Sequence, residues 1–202
     1  NTRQCGAAVS RNIALARVDT DYVMSIDEDD IVLPTVRKFV RKLVADKDLA
    51  YIAGGCIIAE ELQWKGVVEL PEKIVQHWAI ITSVGQIIPV EVERWRWFRP
   101  LLNGDAEPGS VTDTMKQYSV FPLLGNAAIY NTDMVYSVGG WPATPTGEDA
   151  ALLAAVSDKY YGWIAPEPII LYRKHDKQNT ASEYWRKTRQ ITSIMITRRT
   201  SR

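Results

Sequence analysis

Neither sign of charge is in excess in this chain: 24 Lys and Arg stand against 24 Asp and Glu in 202 residues. A dedicated nucleic-acid binder normally carries a basic surplus, so the balance argues against that class, although it leaves room for a local basic patch. No apolar run reaches the ~18 residues of a membrane-spanning helix. Asn1 rather than Met stands first, with no secretory signal pattern behind it, and a processed piece or fragment of something longer is the expectation. Cysteine is scarce. Cys5 and Cys56 form no CxxC and no zinc-spaced Cys/His cluster. Buried or half-buried thiols in a reducing compartment are expected, and the lack of an Asn-x-Ser/Thr sequon agrees with a cytosolic setting. Phosphate-loop, GxGxxG, HExxH and GxSxG motifs are missing, as are internal repeats and low-complexity tracts.

What is present is ordinary in composition and sufficient in length. At 46% hydrophobic and 24% charged residues, the chain can bury a core without disulfides or metals to hold it. Residues 7–18 suit a helix with Val9, Ile13 and Ala16 on one face and Arg11 and Asn12 on another. Residues 22–26 suit a buried strand that runs into Asp27-Glu28-Asp29-Asp30. Pro34 opens a helix whose apolar stripe is Val36, Phe39, Val40, Leu43 and Val44. Residues 50–58, with Gly54-Gly55, read as a strand with a bulge or a close backbone approach. This alternation predicts an α/β sheet flanked by helices, with ligands at the carboxyl ends of its strands.

The stretch 60–118 is less regular. A helix over 72–82, a strand over 86–92 and a loop over 103–110 are the expectations there. Order returns with a strand over 120–130, a short helix after Asn131 and the turn Gly139-Gly140-Trp141-Pro142. A helix over 147–160 and a strand over 163–172, broken by Pro166 and Pro168, follow. The tail, 183–202, carries six basic residues against one acidic and suits an amphipathic helix.

Three features carry chemistry. Acids ending a buried strand need a cation or hydrogen bonds to compensate them. Alternate residues of a strand share a face, so Asp27 and Asp29 can point at one Mg²⁺ or Mn²⁺. A solvated acidic turn favouring the positive end of the next helix explains the same residues. Glu148 and Asp149 open a helix, where the helix dipole favours acids, and either can also serve as a general base. His175 follows a strand; it is a surface or structural histidine, or a Mn²⁺ ligand. His77 has no assigned role.

In order, the chain presents Ala8-Val9-Ser10-Arg11-Asn12, Ile26-Asp27-Glu28-Asp29-Asp30 with Pro34, and Gly125-Asn126-Ala127-Ala128. Gly139-Gly140-Trp141, Glu148-Asp149 with Leu152, and Tyr172-Arg173-Lys174-His175 complete the series. Over about residues 5–180 this resembles the family-2 inverting glycosyltransferases of GT-A fold, with their "ARN", "DxDD", "GG(W/F)", "ED" and "YRxH" motifs. The opening strand and "PxYN" loop of that family, which cradle the nucleotide base, are not found.

The resemblance implies an α/β, GT-A-like mixed sheet flanked by helices, with residues 1–182 as an N-terminally incomplete catalytic domain. Residues 60–118 become a variable acceptor-side region and 183–202 a basic helix or tail. It implies donor binding by Asp27, Asp29 and Arg11, a Mn or Mg cation at Asp29 and His175, and Asp149 as catalytic base with Glu148 as its companion. Trp95 and Trp97 fall in the acceptor region, as a sugar-stacking platform or a hydrophobic anchor. The implied activity is metal-dependent inverting transfer of a sugar from a nucleotide-diphosphate donor to an acceptor hydroxyl. The acceptor would be a sugar, a lipid-linked sugar or a small molecule, in a cytoplasmic setting with peripheral membrane contact through the tail left open. A nucleotidyltransferase of related fold and a catalytically silent carbohydrate- or partner-binding domain are the alternatives.

Overall fold

The computed structural model describes residues 6–60, 67–69, 79–82, 87–89, 96–98, 104–118 and 125–174, and beyond them Gln178, Glu183, Tyr184, Lys187, Thr188 and Met195. The elements are α1 (Ala7–Leu15), β1 (Tyr22–Met24), β2 (Ile31–Val32), α2 (Val36–Ala45), β3 (Tyr51–Glu60), β4 (Val67–Glu69), β5 (Ala79–Thr82) and β6 (Ile87–Pro89). They continue with β7 (Arg96–Phe98), β8 (Gly104–Ala106), α3 (Ser110–Tyr118), β9 (Ala128–Asn131), α4 (Thr132–Ser137), α5 (Glu148–Ser157) and β10 (Gly162–Lys174).

Among the described residues the main sheet has seven strands, in the order β1-β9-β3-β10-β2, with β7 also on β3 and β8 also on β10. Among the described residues only β3 and β10 pair in parallel, and the other ladders of this sheet are antiparallel. Since β9 runs against both β1 and β3, strands β1, β3 and β10 share one direction and present their carboxyl ends at one edge. The parallel pair is the buried centre: Tyr51, Ile52, Ala53, Cys56 and Ile57 on β3, and Ile169, Ile170 and Leu171 on β10, have almost no exposure. Strand alternation sends Tyr51 and Ala53 into the core beneath α1, α4 and α5, and Ile52 and Cys56 into the core beneath α2. A separate antiparallel sheet, β4-β5-β6, lies in the middle of the chain.

Several expectations hold. Asn131 caps α4 by accepting from the Asp133 and Met134 amides, which satisfies donors the helix leaves unpaired. Helix α5 is buried from Ala151 to Ser157 and packs as an interior helix. On α2, Phe39 and Leu43 are buried as the stripe requires, whereas Val44 is 49% exposed at the helix's last turn.

Other expectations need correction. Helix α1 is shorter than predicted and rotated. Ala8, Arg11, Asn12 and Leu15 face the protein, while Val9 and Ile13 are exposed. The polar pair turns inward because distant groups satisfy it. Strand β1 ends at Met24 and is a half-buried edge strand, so Asp27 and Asp29 lie on a turn rather than in a strand. Ala79–Thr82 is a strand, not a helix end. Residues 103–110 are not a loop throughout, since Gly104–Ala106 pairs with β10 and Ser110 begins α3. Residues 125–127 form a turn, and the strand starts only at Ala128. Pro166 and Pro168 do not break β10; they shift its register against β3 and the strand continues. Cys56 is buried, as expected, and Cys5 lies outside the described residues. Most of the tail lies outside them too. Among the described residues, no helix is long and apolar enough to cross a membrane.

Candidate active site

The four acids after β1 form a tight turn, closed by the Asp30 amide donating to the Asp27 carbonyl at 3.0 Å, with Glu28 and Asp29 at its corners. Two other segments hold it. Asn126 Nδ2 donates to Asp30 Oδ2 at 2.9 Å, and the Arg173 amide at the end of β10 donates to Asp30 Oδ1 at 3.2 Å. The Arg173 guanidinium donates to the Asp29 carbonyl, and Gln178 Nε2 reaches Asp29 Oδ2 at 3.4 Å. The turn thus brings together, by a different geometry, the acids that strand alternation had been expected to align. One carboxylate oxygen from each of Asp27, Asp29 and Asp30 lies within 4.8 Å of the others. That all-oxygen donor set suits a hard divalent ion such as Mg²⁺ or Mn²⁺. Burial, reinforced by the neighbouring Asp27 and Asp29 and opposed by the Arg173 amide, pushes Asp30 up to about 7.

The second acidic group heads α5. Glu148 and Asp149 occupy the first helical turn, where the positive end of the helix favours carboxylates. Burial first, and then the like charge of Glu148, raises Asp149 to about 6. A carboxyl poised there can accept a proton near neutral pH. Gly125 lies against this helix start so closely that a Cβ would stand 2.3 Å from the Ala150 nitrogen and 2.5 Å from the Asp149 carbonyl carbon. Only a residue without a side chain allows that approach.

Arg11 joins the two acidic groups. It stands on α1 with its side chain 15% exposed, donates to Asp27 Oδ1 at 2.5 Å and forms an ion pair with Glu148. Burial works against its charge, but Glu148, Asp27 and Asp149 outweigh that effect and raise its pKa. The next residue, Asn12, ties α1 to the turn at Gly140-Trp141 by hydrogen bonds in both directions. A pocket of about 430 Å³ at the other end of β1, lined by Asp19, Lys47, Asn131 and Asp133 among others, shares none of these residues.

Of the residues singled out from sequence, the structure gathers Arg11, Asp27, Asp29, Glu148 and Asp149 into one region. His175 and Trp95 lie outside the described residues. The backbone of Trp97 is in β7, opposite Ile57. Asn12, Asp30, Asn126 and Arg173 had no role in the sequence reading, although each stands inside a quoted motif. Their position in those motifs was the available signal; their partners are up to 145 positions away.

No protein-family model matches this chain, and no curated protein matches it. Among solved structures it is similar to S. aureus TarS 1–349 in complex with UDP-GlcNAc, with a TM-score of 0.50 at 14% identity. The match covers 89% of this chain and 42% of that one, so the chain spans less than half the length of that structure. At this identity the likeness is one of fold: an α/β, GT-A-like mixed sheet flanked by helices.

Proposed function

We propose that the chain is the catalytic portion of a metal-dependent inverting glycosyltransferase that uses a nucleotide-diphosphate sugar. The observation that carries this reading is the double engagement of Arg11. It draws the acidic turn, 16 positions away, and the head of α5, 137 positions away, to one place. A cation-binding carboxylate group and a carboxyl of raised pKa then face the same region, as transfer between a diphosphate donor and a hydroxyl requires. UDP-GlcNAc, the ligand of the TarS structure, is the first donor to try.

In this reading Asp27 and Asp29 would hold a divalent cation, with His175 as a further ligand. When bound, the cation offsets the charge that develops on the departing nucleoside diphosphate. Asp149 takes the proton of the acceptor hydroxyl. The hydroxyl oxygen bonds to the anomeric carbon from the face opposite the leaving group as the bond to the diphosphate oxygen breaks, and the configuration inverts. Glu148 holds Arg11, and Arg11 limits the repulsion among the carboxylates. Residues 60–118, with Trp95 and Trp97, form the acceptor side, and 183–202 is an appendage to the domain at 1–182.

Calorimetry of UDP-GlcNAc with Mn²⁺, with EDTA and with Asp29→Asn tests the reading. Binding that needs Mn²⁺ and is lost in Asp29→Asn is expected. Equal binding under all three conditions would remove the acidic turn from donor recognition.

A further inference from the structure

We infer that Asp30 is a positioning residue and not a cation ligand: with Asn126 it sets the acidic turn at a fixed distance from the head of α5. The inference rests on the proposed cation site but concerns how this chain builds it. Asp30 is one of three clustered carboxylates, yet both of its oxygens are engaged within the protein. Oδ2 accepts from Asn126 and Oδ1 accepts from the Arg173 amide. A cation on Asp30 would have to share an oxygen that already accepts one of these bonds. Asp27 and Asp29 also accept bonds, from Arg11 at Asp27 Oδ1 and from Gln178 at Asp29 Oδ2, but neither bond is one of the two that fix the base of the turn to Asn126 and β10.

Asn126 links the two acidic groups mechanically. Its side chain holds Asp30, while its neighbour Gly125 is in backbone contact with Asp149 and Ala150. The dipeptide therefore spaces the turn from the proposed base, with no flexible side chain between Gly125 and α5. Asn126 is 4% exposed, and its Oδ1 is buried without a hydrogen-bond partner. This orphaned acceptor makes a specific rescue available. In Asp30→Asn, rotation of the Asn126 amide by half a turn directs Oδ1 at the new NH₂ group, and the bond across the pair is kept.

The test compares Asp30→Asn, Asp30→Ala and Asn126→Ala with the unaltered chain by two readouts. The first is hydrogen–deuterium exchange over residues 25–31 without metal. Faster exchange in Asp30→Ala and Asn126→Ala, and unchanged exchange in Asp30→Asn, is expected. The second is Mn²⁺ affinity by electron paramagnetic resonance. Positioning partners of metal sites typically cost about 10- to 100-fold in affinity when removed. That loss is expected in Asp30→Ala and Asn126→Ala, with Asp30→Asn close to the unaltered chain.

If Asp30→Asn loses Mn²⁺ as fully as Asp30→Ala while Asn126→Ala retains it, Asp30 is a ligand and the inference is overturned. Unchanged exchange in all three variants overturns it as well. Asp29→Asn separates the two proposals. If the unaltered chain and Asp29→Asn bind Mn²⁺ alike, the cation reading fails, and the exchange pattern still decides the role of Asp30.

Discussion

Asn12 and Trp141, 129 positions apart, are joined by a pair of hydrogen bonds: Asn12 Nδ2 donates to the Trp141 carbonyl at 2.9 Å, and the Trp141 amide donates to Asn12 Oδ1 at 2.8 Å. The amide side chain gives the turn the donor and acceptor that a neighbouring strand would otherwise supply. Gly140 sits beneath it at φ +72°, where a Cβ would be 2.4 Å from Asn12 Oδ1. One contact thus links Asn12 to the absence of a side chain at Gly140, and it fixes the helix that presents Arg11.

Asn12→Ala removes both bonds and strands the Trp141 backbone groups. A loss of about 2 kcal/mol is expected, seen as a fall of about 4–8 °C in thermal midpoint for a chain of this size. Asn12→Asp keeps the acceptor, loses the donor and should fall between. An unchanged midpoint in Asn12→Ala would contradict the clamp.

Gly125→Ala is expected to be more damaging than an ordinary surface change. The new methyl meets backbone rather than a movable side chain, so the start of α5 must shift. Overpacking of this kind costs about 1–3 kcal/mol or more. Denaturant titration gives the stability, and release of UDP from UDP-GlcNAc, the donor proposed above, should drop with it in the folded fraction. Full activity in a destabilised variant would show that the spacing to Asp149 is not critical.

In the proposed mechanism Asp149 sets an acid limit on turnover. As a base it must be ionised, so activity should rise with pH through about 6, and Asp149→Asn should lower it by roughly 10²- to 10⁴-fold. A flat profile with Asp149 intact would remove it from the chemistry. Stability runs the other way. The folded chain keeps this proton up to about pH 6, whereas the unfolded chain releases it near the ordinary value of 3.8. The folded state therefore binds more protons between those values. Its contribution to stability is full below about pH 4 and is lost as pH rises through about 6. Asp30, raised to about 7, adds a contribution of the same sign. Urea midpoints across this window should fall with rising pH, and less steeply in Asp149→Asn.

Removing Arg11 should move that acid limit. Arg11 lowers the Asp149 pKa, while Glu148 and Asp27 raise it. In Arg11→Ala the carboxylates face one another without a cation, and the pH–activity midpoint should shift upward. Arg11→Lys keeps the charge but lacks the planar fork that reaches both partners, and an intermediate midpoint is expected. Identical midpoints in all three proteins would mean that Arg11 does not act on Asp149 electrostatically.

Features set by near neighbours were legible in the amino-acid order. The Phe39 and Leu43 stripe, the Asn131 cap, the acidic start of α5 and the apolar runs of β3 and β10 all depend on residues a few positions apart. Periodicity and capping record such relations directly. The inward face of α1 was misread for the opposite reason. Hydrophobic periodicity counts Val9 and Ile13 as core, but the protein covers Arg11 and Asn12, whose partners are 137 and 129 positions away. Burying a polar group is favourable only when a partner is waiting for it, and the pattern of one segment carries no record of that partner. The same limit applies to the acidic turn. The order of motifs pointed to Asp27, Asp29 and Asp149. Only the folded chain shows that Asp30 is held by Asn126 and Arg173, because those bonds exist only once β9, β10 and the turn have met.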